Sequence, residues 1–220
     1  MQKIMRYSWS LFDQFNRCSK KVFFSKLWGI QEIEREYFRH GTEVHENADR
    51  YHKGLPFNNK LIKRYTDVIP KDYFTKTESW IDAKIHNPDN KNDVIAMPFC
   101  GKLDGQRDGL IADIKTSKAS LSQRVADNMG QITLYLFMEW INTGKILKFE
   151  VLNLRKDKNA KGKLFPLQRV ITTRTIDDFR ELWKQLKIFD NSIQKELFYK
   201  ERGYECNYCS FKRVCSAESQ

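Results

Sequence analysis

The sequence predicts an α/β fold in which helices flank a small, mixed central sheet. Segments with helical and strand-like patterns alternate along the chain. Asp108-Gly109 lies between two strand-like segments and is a strong signal for a tight hairpin. Two long segments carry apolar residues at spacings of three and four, which is typical of helices that pack on a core. The resulting order is helices, strands, helix, strands and helix, as in a sheet covered by helices.

The first third of the chain is predicted to be mainly helical. Ser8 or Ser10 is expected to cap a first helix that ends near Cys18. A second helix is expected over residues 32–52, and a short helix with a loop over residues 60–73.

The central third is predicted to supply three strands. The first covers residues 78–86 and is followed by a polar turn over residues 87–93. The next two strands, residues 94–105 and 110–116, form the hairpin around Asp108-Gly109.

The last third is predicted to hold two helices and two strands. A continuous helix is expected over residues 121–141, then strands over residues 146–154 and 164–171 joined by an exposed basic loop at 155–163. A final amphipathic helix covers residues 176–199. Its inward positions are expected to be Ile176, Phe179, Trp183, Leu186, Phe189, Ile193 and Leu197.

Composition restricts the classes of partner. The 220 residues carry a net charge of +11, which fits a polyanion such as nucleic acid. No apolar run reaches membrane-spanning length and the N-terminus lacks the apolar core of a signal peptide, so a cytoplasmic location is expected. Five cysteines in such a protein indicate metal binding or reactivity rather than disulfides.

The hairpin carries a candidate catalytic group. Counting outward from its turn, Asp104 faces Asp113 across the strands, and facing like charges are unfavourable unless a cation lies between them. Lys115 lies on the same strand face as Asp113, whereas Ile114 points the other way into a core. Two carboxylates beside an ammonium suit metal-assisted hydrolysis of a phosphodiester.

Two helices add residues to this group. Gly41 and His45 lie one turn apart on the second helix, where the glycine lets another backbone approach closely and the histidine offers a nitrogen ligand. Gln131 and Tyr135 share one face of a later helix. Each pair alone is a weak signal, and the ordered combination of all these motifs carries the prediction.

Four cysteines form a second candidate site. Cys206, Cys209 and Cys215 have the spacing Cys-x2-Cys-x5-Cys, and Cys18 is the natural fourth ligand. Four thiolates suit either Zn²⁺ or an iron–sulfur cluster.

Together these motifs resemble the RecB-like nuclease domains of the PD-(D/E)XK superfamily, from about Tyr7 to Cys215. The resemblance is to the iron–sulfur type, namely the CRISPR-associated RecB-like exonucleases and the nuclease domain of AddB-type helicase–nucleases. It implies a restriction-endonuclease-like core at about residues 30–200 of a single domain, residues 1–220. Residues 1–29 and 201–220 would form a subdomain in which an iron–sulfur cluster joins the two ends of the chain.

The resemblance also assigns roles to the residues. Metal ligands for Mn²⁺ or Mg²⁺ would be His45, Asp104, Asp113 and the Ile114 carbonyl. Lys115 would be the catalytic lysine, with Gln131 and Tyr135 supporting the site and the substrate strand. A [4Fe–4S] cluster would be held by Cys18, Cys206, Cys209 and Cys215.

The implied function is that of a metal-dependent DNA exonuclease that prefers single strands or frayed ends. Four aromatic side chains near the N-terminus are weak candidates for base stacking, and core packing is the expectation for most of them: Tyr7, Trp9, Phe23 and Trp28. CRISPR adaptation or recombination proteins would be partners, in a prokaryote or a phage. Two alternatives stay open: a DNA-end-binding or assembly module with little turnover, and a zinc-stabilised nucleic-acid-binding protein.

Overall fold

The computed structural model describes residues 4–31, 36–156 and 164–217. Helices α1 to α8 span Trp9–Arg17, Ser19–Val22, Glu36–Lys53, Asn59–Thr66, Gln123–Asp127, Gly130–Thr143, Ile176–Gln194 and Lys212–Ala217. Strands β1 to β8 span Tyr7–Ser8, Lys76–Ala83, His86–Asn87, Asn90–Val94, Phe99–Arg107, Leu110–Ser117, Lys148–Arg155 and Gln168–Thr172. A π-helical turn covers Phe23–Leu27, and a 3₁₀ turn covers Tyr204–Tyr208.

Six strands form one mixed sheet. Along one path the order is β1, β5, β6, β7 and β8, and β2 pairs with β5 as well. The β1–β5 and β6–β7 pairs are parallel, whereas β2–β5, β5–β6 and β7–β8 are antiparallel. β3 and β4 form a separate hairpin. The predicted class, an α/β fold with a mixed sheet flanked by helices, is therefore confirmed.

One edge of β5 pairs with two different strands in turn, and the gap between them, which we call the fork, positions the candidate site. β2 occupies one edge of β5 from Phe99 to Gln106. The other edge therefore takes both β1, which pairs at Phe99 and Cys100, and β6, which pairs from Gly105 to Arg107. Residues 101–104 lie between these two ladders, so Asp104 is at the point where β6 separates from β5.

Helices cover both faces of the sheet. Ile111 of β6 and Val151 of β7 belong to a core shared with α1, α6 and α7. Ile114 and Leu152, on the opposite faces of the same strands, belong to a second core with α3 and α4. Fully burying such an aliphatic side chain stabilises a fold by about 1.5–3 kcal/mol. The predicted burial of Ile114 is confirmed, since it is 2% exposed.

Two local predictions are confirmed at the level of hydrogen bonds. The Ser8 hydroxyl caps α1 by accepting from the Leu11 N–H at 3.3 Å, and the helix ends before Cys18. Gly109 has a φ of +68°, as the predicted hairpin turn requires.

The predicted continuous helix over residues 121–141 is wrong, because it is divided into α5 and α6 at Asn128-Met129. The Arg174 guanidinium donates to the carbonyls of Ala126 and Met129, which lie on either side of the break. Gly130 then starts α6 against Trp9, whose ring would lie 2.3 Å from an added Cβ. No local pattern reveals these contacts, because Arg174 lies 45 and 48 residues along the chain from Met129 and Ala126.

The final helix is also shorter than predicted. α7 ends at Gln194, where the Leu197 N–H donates to the Ser192 carbonyl and the Glu196 N–H donates to Ile193. Glu196 has a φ of +54°, so the helix ends in a Schellman motif without the usual glycine. Leu197, predicted to face inward, is consequently 57% exposed.

Parts of two predictions lie outside the described residues: the start of the second helix at residues 32–35, and most of the basic loop at 157–163. None of the helices in the described ranges has the length and apolar character that a membrane span requires.

Candidate functional site

Asp104 joins three elements at the fork of the sheet. Its Oδ1 accepts from the Nδ1–H of His45 on α3 at 2.8 Å, because a carboxylate can only accept. Its Oδ2 accepts from the backbone N–H of Ile114 on β6 at 2.6 Å. The Asp104 side chain thus takes a backbone N–H of β6 that would otherwise be free to pair with β5. The last backbone pair of the hairpin is Gly105–Ala112. The register predicted for the hairpin is confirmed up to this pair. The expected ladder pair of Asp104 with Asp113 is not formed, because the ladder ends one residue earlier.

A second group of side chains links β6 to α6. The Lys115 ammonium lies 2.9 Å from Asp113 Oδ2 and donates to Gln131 Oε1 at 2.8 Å. Gln131 Nε2 in turn donates to the Tyr135 hydroxyl at 3.3 Å. The structure therefore brings together Asp113, Lys115, Gln131 and Tyr135, with the spacing along α6 that the sequence predicted.

Burial and charge set the ionisation of this second group. Burial raises the pKa of Asp113, and the neighbouring Lys115 acts against that rise. Burial alone would lower the pKa of Lys115, but its interactions with Asp113 and the charge of Asp104 together outweigh burial, so the lysine pKa is raised. Burial would likewise lower the pKa of His45, but its hydrogen bond to Asp104 and the charges of Asp104 and Asp113 together raise that pKa. Lys115 therefore remains an ammonium at neutral pH.

Glu78 is a site residue that the sequence analysis missed. Register pairs on either side, Thr77–Gly105 and Ser79–Leu103, bring it opposite Asp104. Ligand atoms of His45, Glu78 and Asp104 all lie within 4.8 Å of one another. The Glu78 carboxylate also forms an ion pair with Lys102. Glu78 and Asp104 thus face each other across β2 and β5. The sequence had predicted such a pair of facing carboxylates on the other edge of β5, between Asp104 and Asp113.

The three donors, which we call the metal centre (His45, Glu78 and Asp104), fit a divalent ion. In an octahedral site with ligands near 2.1 Å, donor atoms lie about 3 to 4 Å apart, within the observed spread. Asp113 adds a further acidic oxygen nearby. Its Oδ2 is buried and has no hydrogen bond, since the contact with Lys115 is an ion pair outside hydrogen-bond geometry. The chemistry of this donor set suits Mg²⁺ or Mn²⁺.

Glycines near the site differ in how closely they are approached. At Gly101, an added Cβ would lie 2.5 Å from the ring of Tyr135, so the absence of a side chain is required there. At Gly41, the nearest atom to an added Cβ is Thr116 Oγ1 at 3.6 Å, which is ordinary contact. The expected close backbone approach at Gly41 is therefore wrong.

Replacing Gly101 with alanine is expected to displace the Tyr135 ring and to destabilise the protein by about 1–3 kcal/mol. The new methyl group would overlap a ring that is held between β5 and the sheet core. Urea denaturation measures this loss. Gly41→Ala is the matched control, because an added Cβ there meets only an ordinary contact. It should lower the free energy of unfolding less than Gly101→Ala does. An equal loss of stability in both variants would contradict the contact with Tyr135.

The four predicted cluster cysteines line one cavity of about 580 Å³, which we call the cysteine cavity. Cys18 lies between α1 and α2, whereas the other three lie in the C-terminal segment. Six basic and two acidic side chains also line the cavity, so its charge suits an anionic group. Phe24 and Phe211 supply apolar walls.

Sulfur spacing bears on which group would fit the cysteine cavity. Tetrahedral zinc with Zn–S bonds of about 2.3 Å needs sulfurs about 3.8 Å apart. Among the described residues, no three cysteine sulfurs lie within 4.8 Å of one another. The described cysteine sulfurs are therefore not gathered at the spacing of a tetrahedral zinc site.

The aromatic residues considered for base stacking have different environments. Tyr7 is fully buried and donates to Asp190, so it packs in the core, as expected for most of this set, and is not a stacking residue. Trp9 packs on Gly130, and Phe23 packs against Phe24 and Trp28. Trp28 is 49% exposed and is the member of this set that is most open to a ligand.

Comparison with known proteins gives the site a family context. The sequence pattern of the PD-(D/E)XK nuclease superfamily matches residues 101–216, which is more than half of the chain. The fold is similar to the crystal structure of a "putative exonuclease" from Eubacterium rectale, with a TM-score of 0.56. That match has 15% identity and covers 93% of this chain and 87% of the other, so it shows a shared fold. None of the curated proteins compared matches the chain. The family match, which includes Asp104, Asp113, Lys115 and Gln131, shows that the chain belongs to the PD-(D/E)XK nuclease superfamily.

Proposed function

We propose that this nuclease-superfamily protein is a metal-dependent DNA exonuclease that acts on single strands or frayed ends. The observation that carries the proposal is the metal centre of His45, Glu78 and Asp104 beside the Asp113–Lys115 ion pair. The basic composition of the chain, with a net charge of +11, supports a nucleic-acid substrate. CRISPR adaptation or recombination as a setting remains a prediction of the family resemblance.

In this proposal His45, Glu78, Asp104 and Asp113 hold the ion, with the Ile114 carbonyl as a further donor. A divalent ion bound there would polarise the scissile phosphate and lower the pKa of an attacking water. Lys115 stabilises the negative charge that builds up on the phosphate, and its raised pKa supports this role as an ammonium rather than as a base.

Gln131 and Tyr135 act on Lys115 rather than on the phosphate. Gln131 accepts a hydrogen bond from the Lys115 ammonium and is itself held by the Tyr135 hydroxyl. The two residues therefore fix the direction of the ammonium. Because Tyr135 packs directly on Gly101, this support is tied to β5, the strand that carries Asp104.

A nuclease assay with linear and circular single-stranded DNA tests the proposal. We expect linear DNA, labelled at either end, to be degraded in Mn²⁺ or Mg²⁺ and to remain intact in EDTA. Circular DNA should persist, because an exonuclease needs an end. Cleavage of circles would replace the exonuclease assignment with an endonuclease. Binding without cleavage would favour the end-binding module.

Glu78 provides a direct test of the metal centre. We expect Glu78→Gln to weaken Mn²⁺ binding by about 10- to 100-fold, because one anionic donor is lost. Isothermal titration calorimetry or Mn²⁺ paramagnetic resonance measures the affinity without DNA.

Lys102→Met is the matched control for the Glu78 variant, since it removes the ion pair with Glu78 and leaves the carboxylate in place. It should keep the wild-type Mn²⁺ affinity. If Lys102→Met weakened Mn²⁺ binding as much as Glu78→Gln, the carboxylate would matter through its ion pair and not as a ligand.

We further propose that Cys18, Cys206, Cys209 and Cys215 bind a [4Fe–4S] cluster. This assignment over zinc is supported by the shared cavity, by its basic lining and by the finding that no three described sulfurs lie within 4.8 Å of one another. Protein purified without oxygen should be brown, with broad visible absorbance and stoichiometric iron and sulfide. A colourless, folded protein that contains one zinc ion would replace the cluster with a zinc site.

A further inference from the structure

A basic groove lies between α3, α4 and the end of β7. It has a volume of about 490 Å³, and its polar lining consists of His40, Lys60, Arg64 and Lys156. Aliphatic side chains form the rest of its wall: Val44, Leu61, Leu154 and Leu164. No acidic residue is among the described residues that line the groove. In this it differs from the cysteine cavity, where two glutamates offset part of the positive charge.

Cationic side chains are crowded at one end of the groove. Burial lowers the pKa of Lys156, and the positive charge of Lys118 lowers it further. Lys118 and Lys156 directly follow the paired strands β6 and β7. The ends of these strands are joined there by a hydrogen bond from the Lys156 N–H to the Ser117 carbonyl at 2.7 Å.

The groove and the metal centre share helix α3. His40 and His45 lie on α3, five residues or about 7.5 Å apart along the helix axis. On the sheet side, Thr116 follows Lys115 directly, and its Oγ1 lies 3.6 Å from where a Cβ on Gly41 would be. His40 of the groove and His45 of the metal centre are therefore held less than two helical turns apart on α3.

We propose that this basic groove binds the phosphate backbone of the substrate strand next to the scissile phosphate. This inference rests on the proposed nuclease function, and it specifies the surface along which the substrate strand lies. The lining is cationic and aliphatic without acidic groups, which suits contacts to phosphate and sugar and carries no information about base sequence.

Removal of two lysines tests the groove. Lys60→Ala combined with Lys156→Ala leaves Arg64 intact, because its guanidinium also holds the carbonyls of Arg155 and Phe165. Binding of a labelled single-stranded oligothymidine is measured in EDTA at several salt concentrations. We expect affinity to fall about tenfold and the slope of log K against log salt to shrink by about 1.4, or 0.7 for each lost phosphate contact.

The matched control is Lys145→Ala combined with Lys195→Ala, which removes the same charge from two exposed positions outside the groove. The groove proposal expects this control to keep the wild-type salt slope. Equal losses of affinity and slope in both double variants would overturn it, because the effect would then follow net charge alone. Lys60→Gln, at an exposed position, provides a milder variant if the double variant fails to fold, and it should lower the slope by about 0.7.

The same preparations separate this inference from the nuclease proposal. With Mn²⁺, the groove variant should raise KM and leave kcat nearly unchanged, because the groove binds the strand away from the reacting phosphate. If the wild-type protein cleaves DNA and the groove variant behaves like the control, the proposed role of the groove is refuted and the nuclease proposal stands. A wild-type protein that neither binds nor cleaves DNA overturns both.

Discussion

Replacement of Lys115 with alanine is expected to reduce DNA cleavage by about 10³-fold and to leave DNA affinity within a few fold of wild type. The ammonium lies 2.9 Å from Asp113 and is held by Gln131 at 2.8 Å, so it is fixed where charge on a phosphate at the metal centre would develop. A fixed charge of this kind acts mainly in the transition state, which is why kcat should fall more than KM rises. Single-turnover cleavage in Mn²⁺ and binding in EDTA measure the two effects.

Lys148→Ala is the matched control, since Lys148 is an exposed lysine of the neighbouring strand β7. It should cleave DNA at the wild-type rate. Gln131→Ala should show a smaller loss, about tenfold, because the lysine is kept and only its orientation is freed. Wild-type cleavage by Lys115→Ala would contradict the assignment of this lysine, and an equal defect in Lys148→Ala would point to a general loss of positive charge.

Residues whose roles follow from local order were predictable from the sequence. Asp113, Ile114 and Lys115 alternate on one strand, and Gln131 and Tyr135 are one turn apart, so their relative placement follows from strand and helix periodicity. The tight turn at Gly109 fixed the hairpin register in the same way. These features depend on a few neighbouring residues, which the sequence shows directly.

Glu78 was missed because its place depends on pairing between distant segments. It reaches Asp104 only because β2 and β5 pair in one particular register, 26 residues apart in the chain. Its φ of +50° is rare for a residue other than glycine or asparagine, and no residue preference signals it. The break between α5 and α6 has the same origin, since the Arg174 side chain that stabilises it lies beyond two intervening strands.

Cys209→Ser is expected to release the C-terminal segment and to lower the melting temperature by about 10 °C. Within described residues 200–217, Phe211 is the buried side chain, at 2% exposure. Burying one phenylalanine contributes about 1.5–3 kcal/mol, whereas fixing the backbone costs about 1–2 kcal/mol for each residue. Apolar burial in this segment is therefore too small to hold it in place, and a group bound by the cysteines would supply the missing free energy.

Two readouts separate loss of the cluster from a general effect of cysteine replacement. Trypsin should cut Cys209→Ser faster at Arg202 and Lys212, which lie in the exposed segment, than it cuts the wild type. Cys100→Ala is the matched control, because Cys100 lies on β5 and is absent from the lining of the cysteine cavity. It should keep the visible absorbance and the slow proteolysis. If Cys209→Ser also kept both, together with the wild-type melting temperature, the segment would be held by its contacts with α1 and α2, and no metal group would be needed to join the two ends of the chain.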